Sequence, residues 1–351
     1  MSKWIDFSPE EQRAMVQQVA IARQIDEAAA EKDWWVTAVL YAVFHTSVGR
    51  HLLFKGGTSL SKGWGFINRF SEDIDLALSR DFFLKTMGLS CAKCESNTQI
   101  HNLREKGQDF LFGDFAEELR MKLLEMGLET KVLTEKEANA DNGELPQVAH
   151  DKDPSVLYVR YKSLYTSNIS YISPVVKIEV SVLSMQEPYE TRRISSLIEQ
   201  TFAGEDVDSD LVQMVKTVSP ARTFLEKAFL LCEEYQKDTP RTHRMSRHFY
   251  DLEKLMDTEY AAKALKDVDL YHTIIEHRRK CYHVGYVDYD KELPESIAIV
   301  PPNELMTAFK TDYEAMLKSF IYGDALDFES LMERMKILEI RFRSVSSHRP
   351  N

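Results

Sequence analysis

Two aspartates, Asp73 and Asp75, stand two residues apart in a stretch where polar and apolar residues alternate. A β-strand places residues i and i+2 on the same face, so a strand here would hold both carboxylates side by side. Two like charges held that close repel and should not be buried without a cation. Mg²⁺ usually takes one or two carboxylates together with substrate phosphates. The pair therefore suits a metal–nucleotide site, although solvated strand faces often carry the same spacing.

A glycine-containing turn precedes the two aspartates. A short apolar run ends at Gly56 and Gly57, which would let the backbone approach a ligand closely. Thr58 and Ser59 follow and supply hydroxyl groups, and a helix starting here would direct its N-terminal N–H groups at an anion. The stretch is neither a Walker A loop nor a dinucleotide-binding loop. Taken alone, it fits a phosphate-binding turn and an ordinary strand-to-helix turn equally well.

A third acidic residue lies in a later alternating run, over residues 175–182. Its even-numbered residues are apolar, whereas Lys177, Glu179 and Ser181 would share the opposite face of a strand. On a strand beside the aspartates, Glu179 could complete a three-acid metal site or act as a general base. The simpler alternative is a solvent-facing glutamate on an edge strand.

The composition limits the partners and the compartment. The chain has 351 residues, of which 44% are hydrophobic and 28% charged, which excludes a disordered or collagen-like protein. The net charge is −12, so nucleic-acid binding would need a local basic groove. Four scattered cysteines suggest a reducing compartment, and Cys91, Cys94 and His101 fall one ligand short of a structural zinc site. With no signal peptide and no apolar stretch of ~20 residues, we expect a cytoplasmic protein without a membrane partner.

The elements that must position these residues can be read from the pattern. Predicted strands cover residues 52–54, 74–78, 156–161 and 175–183. Predicted helices cover 10–44 with a break near 31–33, 60–70, most of 82–128, 220–235, 246–256, 259–280, 303–322 and 328–342. After about residue 208 the pattern turns helical, apart from a loop over residues 286–302 that is rich in Pro and Asp. The sequence thus predicts an α+β fold, with a sheet-containing domain over 1–207 and a helical domain over 208–351.

Four blocks carry a resemblance to a known family. Residues 56–60 read Gly-Gly-Thr-Ser-Leu, and residues 69–76 read Arg-Phe-Ser-Glu-Asp-Ile-Asp-Leu. Residues 220–227 read Pro-Ala-Arg-Thr-Phe-Leu-Glu-Lys, and residues 247–252 read Arg-His-Phe-Tyr-Asp-Leu. In this order the blocks resemble the signature of DNA polymerase β-like nucleotidyltransferases, in the AbiEii/AbiGii toxin branch. The combination is specific, although each block alone is weak.

The resemblance implies a mixed sheet flanked by helices, followed by a C-terminal helical bundle. It also implies an Mg²⁺-dependent toxin of a bacterial type IV toxin–antitoxin or abortive-infection system, which acts in phage defence. Such an enzyme transfers a nucleoside monophosphate from an NTP to an acceptor, in some relatives the 3′ end of tRNA. The implied partners are the NTP, an RNA acceptor and a cognate antitoxin that acts without an obligatory stable complex.

The resemblance also assigns residues to roles. The implied nucleotide-binding residues are Lys55, Gly56, Gly57, Thr58, Ser59, Arg69, Ser71 and Lys227. One or two Mg²⁺ ions would be held by Asp73, Asp75 and the more loosely matched Glu179. These acids form the implied catalytic set together with Lys227 and Asp251. Without the resemblance, Arg247 and Asp251 would be taken for an ordinary i,i+4 ion pair worth ~0.3–0.5 kcal/mol.

The acceptor and the chemistry leave alternatives open. An RNA acceptor would need a basic groove, for which the candidates are Arg192, Arg193, Arg241, Arg244, Arg247, Arg278, Arg279 and Lys280. The last three fit a solvated helix face equally well. The alternatives are nucleotidyl transfer to a protein, synthesis of a small nucleotide product, a metal-dependent nuclease that uses the same carboxylates, and a non-catalytic NTP-binding module.

Overall fold

The chain packs as two compact units in a computed structural model that describes residues 3–71, 73–140, 148–149, 152–165, 172–205 and 207–345. The first unit comprises residues 1–63 and 70–217, and the second comprises residues 64–69 and 218–351. The division runs through the stretch between the glycine turn and the aspartates, so that Arg69 and Ser71 belong to different units. The other division lies between residues 217 and 218.

A seven-stranded mixed sheet forms the centre of the first unit. The strands are β1 (Leu52–Lys55), β2 (Asp73–Leu78), β3 (Thr130–Thr134), β4 (Ser155–Tyr161), β5 (Val175–Ser181), β6 (Tyr189–Ile194) and β7 (Gln213–Val218). Their order across the sheet is β3-β4-β5-β2-β1-β7-β6. Strand β2 pairs antiparallel with β1 and parallel with β5. The three strands that carry the candidate acidic residues and the glycine turn are therefore adjacent at the middle of the sheet.

Helices cover the apolar side of this sheet. The helices of the first unit are α1 (Pro9–Arg23), α2 (Glu27–Phe44), α3 (Gly56–Lys62), α4 (Asn97–Phe110), α5 (Ala116–Glu125), α6 (Glu135–Asn139) and α7 (Leu197–Thr201). Helix α2 contacts both β2 and β5. The alternate residues Ile74, Leu76 and Ile178 are completely buried, whereas the aspartates between them are partly exposed. The strand alternation thus separates an apolar face from a polar face, as the pattern predicts.

The second unit is helical. Its helices are α8 (Pro220–Glu234), α9 (Ser246–Leu255), α10 (Glu259–Lys266), α11 (Val268–His277), α12 (Met306–Ser319) and α13 (Phe328–Arg343). Phe224 of α8 stacks on Phe342 of α13, with ring centroids 5.4 Å apart. The segment 64–69 joins this unit through Arg69, which forms an isolated β-bridge with Ile321. A short stretch of chain beside the glycine turn is thereby built into the helical unit.

The predicted α+β class, with a mixed sheet and a helical C-terminal region, is confirmed. Several element boundaries were wrong. The break between the first two helices lies at residues 24–26, since Asp26 caps α2 and residues 31–33 are helical. The predicted helix 60–70 is instead α3, which ends at Lys62 because Gly63 and Gly65 follow in a turn. Strand β7 interrupts the segment expected to be helical after residue 208, and the predicted helix 259–280 divides at Asp267.

Candidate functional site

The turn between β1 and α3 depends on a glycine. Gly56 has a φ of +76°, and a β-carbon on it would lie 2.0 Å from Oδ2 of Asp75. Both the backbone conformation and the approaching carboxylate therefore exclude a larger residue. Asp75 in turn lies opposite Lys55 in the β1–β2 ladder. The glycine turn and the acidic strand thus form one local structure.

The hydroxyl groups after the glycines hold the turn together. Thr58 Oγ1 lies 2.5 Å from the carbonyl oxygen of Asp73, to which it donates, and 2.8 Å from Oγ of Ser71. Ser59 Oγ donates to the carbonyl oxygen of Gly56 at 2.8 Å. Both Thr58 and Ser59 are completely buried. These side chains fix the turn against β2, and their direct contact with a triphosphate stays a prediction.

The acidic residues meet on the polar face of the sheet. In the parallel β2–β5 ladder, Asp75 lies opposite Glu179, and Asp73 lies opposite Lys177. Neighbouring strands are ~4.8 Å apart, and residues directly opposite one another point to the same face. Asp73, Asp75 and Glu179 therefore share one face. The alternating pattern predicts this for the two aspartates, and the pairing of β2 with β5 adds Glu179. Together with Lys55 and Lys177, which lie opposite Asp75 and Asp73, these three residues form the acidic face.

Lys177 is paired with one of the three acids. Its Nζ donates to Oε1 of Glu179 within the same strand, and the two side chains are 34% and 26% exposed. Burial raises the pKa of Glu179, but the attraction of Lys177 and the hydrogen bond that it donates outweigh burial and lower that pKa. Burial lowers the pKa of Lys177, but Glu179 and Asp73 outweigh it and raise that pKa. Lys177 is thus held charged at the centre of the acidic face.

The acidic face offers the hard oxygen ligands that Mg²⁺ prefers. Asp73 and Asp75 project from one face of β2, and Glu179 lies directly opposite Asp75. Within the described residues, however, no group of three or more His, Cys, Asp or Glu side chains is arranged to hold a metal ion. The residues fit a site based on the two aspartates, and the three-acid magnesium set stays a prediction.

A buried ionic cluster lies in the second unit. Arg69 donates from Nε to Oδ1 and from Nη2 to Oδ2 of Asp251, both at 2.7 Å. Nζ of Lys227 lies 2.8 Å from Oδ2 of the same carboxylate. The side chains of Arg69, Asp251 and Lys227 are 5%, 0% and 8% exposed. One fully buried carboxylate therefore holds two cations, and the interpretation of Asp251 as an ordinary i,i+4 partner of Arg247 is wrong.

The electrostatics of this cluster follow from burial and from its net positive charge. Burial raises the pKa of Asp251, but Arg69 and Lys227 outweigh it and hold that pKa well below its usual range. Burial, Arg69 and Arg247 lower the pKa of Lys227, and Asp251 opposes them only in part. The predicted nucleotide contacts of Arg69 and Lys227 stay predictions. Asp251, which belongs to the fourth sequence block, nevertheless holds both side chains together.

Two residues near these sets were missed by the sequence reasoning as functional candidates. The alternating pattern placed Lys177 on the same strand face as Glu179 but gave it no role. Its position two residues before Glu179 was a usable signal that the two side chains could pair. His248 lies one helical turn before Asp251, is 7% exposed, and has no hydrogen-bond partner for Nδ1. Burial, Lys227 and Arg247 lower the pKa of His248 well below its usual value, so this imidazole is neutral.

One of the residues predicted to line a basic groove, Arg278, is not exposed. Arg278 is buried and donates to Glu233 from Nε at 2.8 Å and from Nη2 at 2.5 Å, so it is neither solvated nor available to RNA. Arg193 and Arg279 are half-exposed, although each pairs with a carboxylate at 2.7 Å. All four cysteines are free thiols, as expected. Among the described helices, none is long and apolar enough to cross a membrane.

Comparison with known proteins identifies the family. No curated protein gives a significant match to this chain. The family described as nucleotidyl transferase AbiEii toxin of a type IV toxin–antitoxin system matches residues 38–334. The matched range includes β1, the acidic face, and the Arg69–Asp251–Lys227 cluster. The chain is therefore a nucleotidyltransferase that belongs to the AbiEii toxin family of type IV toxin–antitoxin systems.

Proposed function

We propose that this nucleotidyltransferase is Mg²⁺-dependent and transfers a nucleoside monophosphate from an NTP to an RNA acceptor such as the 3′ end of tRNA. The observation that carries the proposal is the arrangement of Gly56, Asp75 and Glu179. A turn without side chains lies against an aspartate that has a second carboxylate directly opposite it. Such a site combines a backbone that a phosphate group can approach closely with oxygen ligands for a metal ion. Binding of a metal–triphosphate complex requires both.

The protein residues have distinct parts in the proposed reaction. Asp73 and Asp75 would hold Mg²⁺, which when bound would neutralise phosphate charge and stabilise the leaving group. Gly56 leaves the space that the carboxylate of Asp75 occupies, and Lys55 brings a positive charge to the same row of the sheet. Lysine is a suitable point charge for phosphate. This division of tasks makes catalysis mainly a matter of positioning and charge stabilisation.

The bond changes are those of an in-line displacement. The acceptor hydroxyl oxygen bonds to the α-phosphorus of the NTP, and the bond from that phosphorus to the bridging oxygen of pyrophosphate breaks. The hydroxyl proton passes to a base, and pyrophosphate leaves with the electron pair. Glu179 is the proposed group that orients this hydroxyl. Because its pKa is lowered, Glu179 suits hydrogen-bond acceptance and charge placement better than strong proton abstraction.

The cluster in the second unit would serve the phosphates. Asp251 holds Lys227 and Arg69 with their charged ends at one carboxylate. We propose that Lys227 contributes positive charge to the triphosphate and that Asp251 fixes its orientation. The biological setting that we propose is abortive infection in the bacterial cytoplasm. There the antitoxin partner would restrain the enzyme without an obligatory stable complex.

The function can be tested with the purified chain, total tRNA and each of the four α-labelled NTPs. We expect label at the RNA 3′ end that requires Mg²⁺, together with release of pyrophosphate. Asp73→Asn should abolish labelling, whereas Asp109→Asn, at a side chain that is 53% exposed on α4, should leave it unchanged. Label in protein or in a small nucleotide would identify another acceptor. RNA shortening without NTP would identify a nuclease, and unchanged labelling by Asp73→Asn would overturn the proposed metal ligands.

A further inference from the structure

The acidic face contains an internal cation whose position matters for metal binding. On β5, Lys177 lies opposite Asp73, and Glu179 lies opposite Asp75. Although Lys177 faces Asp73 across the ladder, its Nζ donates along its own strand to Oε1 of Glu179. The ammonium group thus pairs with one proposed metal ligand, Glu179, and is also attracted by another, Asp73.

The charge balance explains why a cation is needed there. Asp75 and Glu179 are like charges on adjacent strands ~4.8 Å apart, and two carboxylates at that distance repel. Both side chains are only partly exposed, so water screens the repulsion incompletely. Within the protein this charge is compensated by Lys177, which pairs with Glu179, and by Lys55, which lies opposite Asp75 in β1.

We propose that Lys177 is the resident cation of the acidic face, and that it must release Glu179 before a divalent cation can be held by Asp75 and Glu179 together. Lys177 is then a positioning residue that sets the affinity of the metal site. In the absence of metal it keeps the carboxylates together, and in its presence it is displaced. The inference rests on the proposed Mg²⁺-dependent function.

An ordinary surface ion pair would give a different expectation. A solvated pair contributes little and would leave the affinity for metal unchanged when its lysine is removed. A lysine that merely supports the strand would, when removed, weaken metal binding by loosening the site. Removal of a nearby positive charge strengthens cation binding through its field alone, but only a lysine that competes for Glu179 loses this gain when Glu179 is replaced. The sign of the change and its dependence on Glu179 together distinguish the roles.

The experiment measures Mn²⁺ binding to the nucleotide-free full chain, by EPR of the free ion, for the wild type and for Lys177→Met. We expect the variant to bind Mn²⁺ roughly tenfold more tightly, since one positive charge is removed next to the ligands. The matched control is Lys131→Met, the same change at an exposed lysine of β3, two strands away from β5. Its affinity for Mn²⁺ should equal that of the wild type.

A double variant tests whether the effect passes through Glu179. Lys177→Met should lose its gain in affinity when combined with Glu179→Gln, because the carboxylate for which ammonium and metal compete is then absent. Lys177→Gln is the second variant if Lys177→Met does not fold, which circular dichroism will show. Equal or weaker Mn²⁺ binding by the folded lysine variants would overturn the proposal, and so would a gain that persists with Glu179→Gln.

Failure of the proposed function gives a separate signal. Asp73→Asn should weaken Mn²⁺ binding in the wild-type background and in the Lys177→Met background alike. If Asp73→Asn binds Mn²⁺ like its parent chain in both, the proposed metal ligands are wrong. A gain by Lys177→Met that depends on Glu179 would still establish the competition. The two ideas can therefore fail independently.

Discussion

Gly56 faces the carboxylate of Asp75 so closely that a β-carbon on the glycine would lie 2.0 Å from Oδ2. The contact joins the turn after β1 to the acidic strand β2, which runs antiparallel beside it. A displaced carboxylate would also disturb Glu179, which lies opposite Asp75 in β5. The glycine thus sets the position of the acidic face as well as the shape of the turn.

Gly56→Ala should therefore inactivate the enzyme. We expect a loss of about 1 kcal/mol in the free energy of unfolding from the positive φ. Nucleotidyl transfer should fall at least about 100-fold, because displacement of about 1 Å at a reacting centre has that effect. Gly127→Ala is the matched control, since Gly127 has a φ of +77° but no atom within 4 Å of the added carbon. Urea unfolding and labelling of RNA measure both quantities, and equal activity loss in the two variants would contradict the argument.

Asp251→Asn should be among the most destabilising single changes in the second unit. The substitution leaves Arg69 and Lys227 buried without their shared carboxylate, which typically costs about 3–5 kcal/mol. Asp290→Asn is the control, because Asp290 is 69% exposed in its ion pair with Arg279, and it should cost less than about 1 kcal/mol. Chemical denaturation of both variants tests the difference. Equal costs would show that the cluster is not held as the geometry indicates.

The site was predictable from sequence where its geometry is local. Alternation placed Asp73 and Asp75 on one face, and the paired glycines predicted the turn. The partnership of Arg69 with Asp251 was not predictable, because it joins residues 182 positions apart. The pairing of β2 with β5 likewise depends on strands that are not consecutive, and no local pattern specifies which strands are neighbours.

The missed strands have a physical explanation as well. Strand β6 is an edge of the sheet, and its residues 189–193 are mostly exposed. An edge strand needs no alternating apolar residues, so the usual signal is absent. Strand β7 has six residues and runs directly into the Ser219 cap and Pro220 of α8. The strong helix-start signal there favoured a helical interpretation of the whole segment.

Asp208 should make the stability of the first unit depend on pH. Its carboxylate accepts hydrogen bonds from the backbone N–H of Trp4 at 2.9 Å and from Nε1 of Trp34 at 2.8 Å. Burial raises its pKa from 3.8 to about 6 despite those bonds. A carboxyl group whose pKa is higher in the folded state favours folding when protonated. Its contribution is therefore lost as the pH rises from about 4 through about 6.

The comparison with Asp208→Asn isolates this effect. Asparagine remains neutral, so the variant should gain about 2–3 kcal/mol in free energy of unfolding relative to the wild type between pH 4 and pH 7. It has one acceptor oxygen, and the loss of one hydrogen bond lowers its stability at every pH by about 1 kcal/mol. Only the pH dependence is diagnostic. Urea titrations at several pH values give it, and parallel curves for the two proteins would refute the assignment.

Glu292 and Glu233 should respond differently to the loss of charge, although both lie beside Arg278. Burial and the neighbouring Glu233 together raise the pKa of Glu292 to about 9, against the attraction of Arg278. Glu292 is thus already protonated at neutral pH, whereas Glu233 accepts both hydrogen bonds from the buried guanidinium. Glu292→Gln should therefore raise the free energy of unfolding at pH 7 by about 3 kcal/mol, because the glutamate must take up a proton on folding at that pH and the glutamine need not.

Glu233→Gln should instead cost about 3–5 kcal/mol, because it leaves Arg278 buried without its charged partner. The stability of the wild type should decline as the pH rises from about 4.5 through about 9, because the unfolded chain loses the proton of Glu292 before the folded protein does, whereas that of Glu292→Gln should show no such decline. Thermal unfolding at pH 7 and at pH 10 measures both effects. If Glu292→Gln is as destabilising at pH 7 as Glu233→Gln, Glu292 is ionised in the folded protein and the two carboxylates share the guanidinium.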